Sequence, residues 1–212
     1  MDLQLKNRLS LVSGSTAGIG YAIAEALAAE GAHVIVNGRS QPSVDDAIGK
    51  LSSGAAGELI GFAGDLTQAT VAEQLVQAHP GVEILINNLG IFEPVAFEDI
   101  SDDDWRRFYE VNVLSGVRLS RLYLPQMKKQ NWGRIVFISS ESGVQIPSEM
   151  IHYGMTKTAQ IAIARGLAEL AAGTGITVNS VLPGPTKSRG VGDFVVELAQ
   201  QEGKSFEEFE QE

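Results

Sequence analysis

A tyrosine and a lysine four residues apart could carry proton chemistry in this chain. Tyr153 and Lys157 would share one face of a helix, because residues four apart lie on the same side. A phenol has a pKa of about 10, and a nearby cation would lower it. Ser140 follows the apolar run 135–138, where its hydroxyl could hydrogen-bond a carbonyl or alcohol oxygen. The three side chains predict a proton-handling site, which is one half of a redox reaction.

The other half would be a hydride carrier, and a glycine-rich turn near the N-terminus could bind one. The run Leu9–Val12 predicts a buried strand and leads into Gly14, Gly18 and Gly20, with a helical pattern behind them. Glycines between a strand and a helix let a pyrophosphate approach backbone N–H groups at the helix N-terminus. A purely structural turn is the alternative for these glycines alone. The predicted dinucleotide site also includes three residues of the same turn, Ser15, Thr16 and Ile19.

The loop after the second predicted strand indicates which dinucleotide is bound. An NAD site would place an acidic residue there to bind the ribose 2′-OH, but this chain has Gly38-Arg39-Ser40. Arg39 could pair with a 2′-phosphate, which favours NADP(H) over NAD(H); a solvated loop arginine is the alternative. Asp65 ends the third predicted strand and could accept from the adenine amino group, cap a helix, or do both. The next residue, Leu66, is also assigned to the cofactor site.

The elements that must position these residues alternate along the chain. Apolar runs predict strands at 9–12, 33–37, 59–63, 82–86, 134–139 and 176–182, and helical spacing predicts helices at 18–30, 44–51, 67–78, 101–130 and 152–172. In this prediction Thr67 caps the third helix and Pro125 kinks the long one. The alternation predicts an α/β fold with an open, doubly wound parallel sheet, the Rossmann fold. No linker stands out, so we expect one domain over residues 1–212.

Composition excludes several classes of function. The formal net charge of −10 makes nucleic acid and anionic membrane surfaces poor partners. The absence of cysteine excludes disulfides, thiolate nucleophiles and cysteine zinc sites. The three histidines lie in different predicted elements, so no metal site is expected. The N-terminus lacks a signal-like apolar segment and no run reaches spanning length, which predicts a cytoplasmic protein.

Taken together, these residues resemble the short-chain dehydrogenase/reductase family. Between residues 5 and 190 the family's motifs are matched, in order and spacing, by the glycine turn, Asp65, Asn87-Asn88-Leu89-Gly90, Asn112, Ser140, the Tyr153–Lys157 pair and Pro183-Gly184. The resemblance implies that Tyr153 is the general acid/base and that Lys157 binds the nicotinamide ribose and lowers the pKa of the tyrosine. It also implies that Ser140 polarises the substrate oxygen, and that Asn112 holds a water linking Lys157 to solvent.

The resemblance implies further cofactor contacts. Asn87 and Gly90 would lie against the adenosine ribose, with Asn87 also linking neighbouring strands, and Asn88 would bind the same cofactor. The family usually has alanine where this chain has Leu89. Near the end of the match, Pro183-Gly184 would cross the nicotinamide face, and a hydroxyl there would hold the carboxamide or a phosphate; the candidates are Thr186 and Ser188.

The resemblance implies an oxidoreductase that transfers a hydride between NADP(H) and a carbonyl or secondary alcohol. The alternative is a non-catalytic dinucleotide sensor or scaffold. The candidate substrate-pocket residues are mostly apolar and favour a hydrophobic ketone: Phe92, Pro94, Ser142, Val144, Gln145, Ile146, Met150 and Pro185. Relatives form homodimers or homotetramers and continue with another helix and strand. We therefore expect a homo-oligomer. We also expect that C-terminal strand and helix to be absent, with residues 184–212 as a partial substrate lid and acidic tail.

Overall fold

The computed structural model describes residues 2–186, which form six strands and six α-helices. The strands are β1 (Leu9–Val12), β2 (His33–Gly38), β3 (Leu59–Ala63), β4 (Ile84–Asn87), β5 (Gly133–Ile138) and β6 (Ile176–Val181). The helices are α1 (Gly18–Ala29), α2 (Gln41–Leu51), α3 (Ala69–Ala78), α4 (Asp102–Tyr109), α5 (Ser115–Gln130) and α6 (Ile151–Leu170). Ser188 and the predicted acidic tail, apart from residues 184–186, lie outside this range.

All six strands run parallel in one sheet, in the order β3-β2-β1-β4-β5-β6. The chain winds outward from β1 to β3, then returns to the other side of β1 and winds outward again through β4. This confirms the predicted doubly wound Rossmann fold. The reversal between β1 and β4 creates a crevice at the carboxyl ends of the strands, which is where ligands bind in such sheets. Within the described residues, β6 is an edge strand.

The side chains of the central strands alternate between two buried layers. In β1, Leu11 faces the layer that α3, α5 and α6 cover, whereas Val12 faces the layer under α1 and α2. In β4, Leu85 faces the first of these layers and Ile86 faces the second. Because both faces are covered, these strands read as continuous apolar runs rather than as alternating patterns. The two layers hold the carboxyl ends of β1 and β4 side by side.

Two helix starts differ from the predictions. Helix α2 begins at Gln41 rather than at residue 44, because the Ser40 side chain accepts from Ser43 N and caps the helix. Helix α3 begins at Ala69, so the predicted Thr67 cap is wrong. Thr67 instead donates its N–H and its hydroxyl to Asp65 Oδ1, at 3.0 and 2.8 Å. These bonds fold a turn ahead of the helix.

The predicted long helix at 101–130 is divided by a π turn. Residues Glu110–Leu114 form this turn between α4 and α5, and the N–H of Ser115 bonds the carbonyl of Glu110. Helix α5 continues through Pro125 to Gln130, so the interruption lies before the proline rather than at it. π turns are frequent at functional sites, and this one carries Asn112.

Candidate active site

A cavity of about 340 Å³ lies at the reversal point of the sheet. Its walls are the segments that follow the first four strands, together with the π turn. The lining residues are Gly14, Thr16, Asn37, Gly38, Arg39, Gly64, Asp65, Leu66, Thr67, Asn88, Leu89, Gly90, Ile91 and Val111. The predicted cofactor residues from four separate loops therefore surround one space.

The glycine turn at this cavity is closely packed. Gly14 and Gly18 have φ of +64° and +58°, a region that only glycine enters freely. A Cβ on Gly20 would lie 2.5 Å from Gly14 O and from Asn88 Nδ2. The Asn88 amide donates to Ser13 O and Gly14 O at 3.0 and 3.1 Å. Asn88 thus holds the turn against the end of β4.

Ser15 faces inward rather than into the cavity. It is fully buried, and its Oγ accepts from Asn37 N at 2.9 Å. The Asn37 side chain accepts from Gly14 N at 3.0 Å, so these bonds tie the turn to β2. Ile19 packs against the layer under α1 and α2. Of the turn residues, Gly14 and Thr16 line the cavity directly.

Arg39 and Asp65 lie on the cavity wall, at the ends of β2 and β3. Arg39 is exposed and has no ion-pair partner among residues 2–186. Asp65 lines the cavity and accepts from Thr67 in the turn before α3, but it does not cap that helix, whose N-cap is Gln68. Leu66 is 1% exposed and belongs to the core.

Tyr153, Ser140 and Lys157 lie together beyond the carboxyl end of β5. Tyr153 is in the first turn of α6, and the Ser140 hydroxyl hydrogen-bonds its phenol. The Lys157 ammonium nitrogen lies 5.5 Å from the centroid of the Tyr153 ring. Burial raises the pKa of Tyr153, and the bond from Ser140 lowers it by less. The pKa of Tyr153 is therefore raised overall, because desolvation of the phenol outweighs the bond from Ser140, and the lowering by Lys157 that the resemblance implies stays a prediction.

Lys157 is itself buried. It is 5% exposed, and its Nζ donates to Ile138 O at 2.9 Å and to Gln160 Oε1 at 3.3 Å. Burial lowers the pKa of Lys157 to about 8, because a low-dielectric environment disfavours the ammonium form. The lysine can therefore change its charge within the pH range in which enzymes are usually assayed.

The adjacent serines Ser139 and Ser140 have different partners. The Ser139 hydroxyl donates to Lys157 O at 2.8 Å and thereby joins the end of β5 to α6. The Ser140 Oγ accepts from Ser142 N at 3.1 Å and faces Tyr153. Of the two serines, Ser140 is therefore the one beside the Tyr153 phenol.

Asn112 is a buried residue that organises the loop after β4. Its Oδ1 accepts from Ile91 N at 2.8 Å, and its Nδ2 donates to Ile91 O and to Thr156 Oγ1, each at 2.9 Å. The Asn112 side chain is 1% exposed. Its carbonyl accepts from Gln160 Nε2 at 2.6 Å. The sequence reasoning missed Gln160, whose only local signal is its position three residues after Lys157.

The cavity and the proton-handling group are contiguous. A Cβ on Gly90 would lie 3.5 Å from Lys157 Nζ and 3.7 Å from Asn112 Oδ1, and Gly90 also lines the cavity.

A family model described as short chain dehydrogenase matches residues 8–197. The chain belongs to the short-chain dehydrogenase/reductase family.

Named relatives agree with this assignment. A Bacillus subtilis (strain 168) protein named Uncharacterized oxidoreductase YvaG is 48% identical over 211 residues, covering 99% of this chain and 80% of that protein. The D-beta-hydroxybutyrate dehydrogenase of Cupriavidus necator is 34% identical, covering 98% of this chain and 82% of that protein. This short-chain dehydrogenase is therefore an NAD(P)-dependent oxidoreductase.

Solved structures share the fold. The L-sorbose reductase of Gluconobacter frateurii, complexed with NADPH and L-sorbose, aligns with a TM-score of 0.92 at 27% identity, covering 99% of this chain and 81% of that one. A single-residue variant of actinorhodin polyketide ketoreductase, solved with NADPH, aligns with a TM-score of 0.87 at 29% identity, covering 95% and 79%. These neighbours support a nicotinamide dinucleotide site in this short-chain dehydrogenase.

Asn87 and His152 lie away from the cavity wall. Asn87 is 3% exposed and its amide donates to Ser120 Oγ at 3.1 Å, so it packs under the sheet and is absent from the cavity wall. His152 is fully buried beside Phe108, with ring centroids 3.9 Å apart. Burial lowers the pKa of His152. His152 therefore lies in the core and not on the cavity wall.

Other predicted residues border the site. The side chain of Leu89 packs on the core and lines the cavity, so the larger residue is accommodated. Pro183 O accepts from Glu141 N at 3.1 Å, and Thr186 Oγ1 donates to Gly184 O at 2.9 Å.

Within residues 2–186 no helix combines the length and apolar character needed to cross a membrane. The same residues contain no cluster of three or more potential metal ligands.

Proposed function

We propose that this short-chain dehydrogenase transfers a hydride between NADP(H) and a carbonyl or secondary alcohol, with Tyr153 as general acid/base. The observation that carries the proposal is the juxtaposition of Tyr153, Ser140 and Lys157 with the cavity that Gly90 borders. A proton-transfer group and a dinucleotide site thereby meet at the reversal point of the sheet.

The residues around the cavity fit a nicotinamide dinucleotide, which when bound supplies or accepts the hydride. A side chain at Gly20 has no room, and Gly14 and Gly18 have positive φ. The three glycines leave this turn without side chains, so backbone groups and the N-terminus of α1 can approach a pyrophosphate. Gly14, Thr16, Asn88 and Gly90 line this space. Arg39 would bind a 2′-phosphate, and the N-terminus of α2 immediately after it adds positive potential.

The chain's own groups manage the proton. In the reducing direction the Tyr153 hydroxyl donates its proton to the substrate oxygen as the new C–H bond forms, and in oxidation the phenolate takes that proton back. The Ser140 hydroxyl would hydrogen-bond the same oxygen and hold it beside the phenol. The Lys157 ammonium would stabilise the phenolate. Two of its three donors bond Ile138 O and Gln160, which leaves one for a ribose hydroxyl.

The mouth of the site favours a substrate with a hydrophobic body. Phe92, Val144 and Ile146 are 40, 70 and 49% exposed, and the Phe92 ring centroid lies 6.4 Å from that of Tyr153. Apolar side chains beside the reacting group would bury part of an apolar ketone. The NADPH-bound neighbours support NADP(H) as the cofactor. A cytoplasmic location and a homo-oligomeric state stay predictions from the sequence.

The test is turnover of a substrate panel followed by NADPH absorbance. The panel should contain apolar ketones, L-sorbose and 3-hydroxybutyrate, because two matched relatives are named for the last two substrates. We expect the apolar ketones to react fastest. Tyr153→Phe should lower kcat by about 10²–10⁴-fold, the usual contribution of general acid–base catalysis, and leave NADPH affinity nearly unchanged.

Tyr123→Phe is the matched control. Its hydroxyl is buried without a hydrogen-bond partner among the described residues, so its removal should leave turnover intact. An unchanged rate in Tyr153→Phe would refute the assigned chemistry. NADPH binding without turnover of any carbonyl or alcohol would instead favour the sensor alternative.

A further inference from the structure

The Lys157 ammonium is held by two acceptors inside the fold. Its Nζ donates to Ile138 O at 2.9 Å and to Gln160 Oε1 at 3.3 Å. Lys157 is 5% exposed and Gln160 is 1% exposed, so water competes little for either side chain. A buried ammonium needs such acceptors, because burial disfavours its charged form. Gln160 thus helps to keep Lys157 in place and charged.

The other end of the Gln160 amide reaches a different element. Its Nε2 donates to the carbonyl of Asn112 at 2.6 Å. Asn112 lies in the π turn Glu110–Leu114, whereas Gln160 and Lys157 lie on α6. The amide therefore spans the space between the two helical segments and links the Asn112 carbonyl to the ammonium. The water that the resemblance places between Lys157 and solvent stays a prediction beside this link.

The chemistry of the two neighbours determines the orientation of this amide. An ammonium only donates hydrogen bonds and a carbonyl only accepts them. Reversing the Gln160 amide would set its NH₂ group against Lys157 and its oxygen against Asn112 O, and both bonds would be lost. A glutamate has no donor for the carbonyl, and a methionine has no strong acceptor for the ammonium. Of these three residue types, only glutamine can serve both partners.

We propose that Gln160 is a positioning residue of the active site, whose amide joins the Asn112 carbonyl to the Lys157 ammonium and holds that ammonium beside Tyr153. Its importance for catalysis rests on the proposed function. The link itself does not, because it can be measured without turnover.

The first experiment observes the link in the unaltered protein by NMR. Lysines are labelled with ¹³C at Cε, and Lys157 is assigned by loss of its signal in Lys157→Arg. We expect Lys157 to titrate near 8, the pKa to which burial lowers it. The side-chain amide signals of Gln160 should shift with the same midpoint, because Oε1 accepts from the titrating group. Amide signals that stay constant while Lys157 titrates would overturn the proposal.

The second experiment uses two substitutions with opposite expectations. Gln160→Met removes an acceptor and should lower the pKa of Lys157 by about one pH unit, whereas Gln160→Glu adds an anion and should raise it by at least as much. Tyr153 is the titratable side chain whose ring faces Lys157, and both variants retain it. The same replacements at Gln74, exposed on α3, are the matched controls. A pKa of Lys157 that moves in neither Gln160 variant contradicts the proposal.

The third measurement connects the link to catalysis. The high-pH limb of kcat for carbonyl reduction should move down in Gln160→Met and up in Gln160→Glu, with a smaller effect on KM. A general loss of stability would not shift this limb in opposite directions. A limb that stays in place while the pKa of Lys157 moves would overturn the positioning role. Wild-type protein that reduces no carbonyl would refute the proposed function, and the NMR titrations would still decide whether the link exists.

Discussion

Alanine at Gly20 should destabilise this short-chain dehydrogenase, although the same change stabilises most helices. Gly20 lies in α1, and replacing a helical glycine with alanine usually stabilises by roughly 0.5–1 kcal/mol. Here the new Cβ would lie 2.5 Å from Gly14 O and from Asn88 Nδ2. Gly14 O is a backbone atom of the glycine turn, so it cannot rotate out of the way.

The size of the effect follows from this distance. Ordinary contacts begin at 3.4 Å, so the helix and the turn would have to separate by about 0.9 Å. Overpacking of this kind costs about 1–3 kcal/mol, which exceeds the gain in helix propensity. We expect a net loss of about 1–2 kcal/mol, or a Tm lower by about 2–8 °C. Affinity for NADPH should fall as well, because the same movement disturbs the Asn88 bonds that hold the turn.

The assay is thermal and urea unfolding, with NADPH titration of the folded variants. Gly49→Ala and Gly166→Ala are matched controls, since both glycines lie within α-helices and a Cβ at either would meet no atom within 4 Å. Both controls should be stabilised by roughly 0.5–1 kcal/mol. If Gly20→Ala gains stability as the controls do and binds NADPH normally, the reasoning about the closely packed turn is refuted.

Two further predictions concern charge. Arg39→Asp should reverse a preference for NADPH over NADH, measured as the ratio of the two Kd values. Arg121→Asp, on the exposed surface of α5, is the control. A ratio that Arg39→Asp leaves unchanged would show that Arg39 is not part of the site. Burial lowers the pKa of Lys157 from 10.5 to about 8, so the unfolded chain binds more protons between these values and the free energy of unfolding should rise with pH there. Urea unfolding measures the free energy of unfolding of the wild type minus that of Lys157→Met, which should rise by up to about 3 kcal/mol from pH 8 to 10.5. A difference that does not change with pH would contradict this.

Much of the fold was predictable because its signals are local. Apolar runs and helical spacing indicated all six strands and the helices between them, and alternation of the two implied the parallel sheet. The predicted helix bounds were wrong where a side chain makes a hydrogen bond to a nearby backbone N–H. Helix α2 begins earlier than predicted because Ser40 caps it, and α3 begins later because Thr67 bonds Asp65 in the turn before it. Such competition between neighbouring hydrogen bonds is not visible in apolar periodicity.

The order and spacing of the motifs were enough to assign the family, because Tyr153, Lys157 and the glycine turn occupy positions set by single elements. Contacts between elements were not predictable in this way. The Asn112–Gln160 bond joins residues 48 positions apart, and the inward turn of Asn87 depends on Ser120 packing below it. The direction of the Tyr153 pKa also depends on burial, which local spacing does not contain. The chain thus specifies its reactive groups locally, whereas packing between β5, the π turn and α6 sets their charge and their partners.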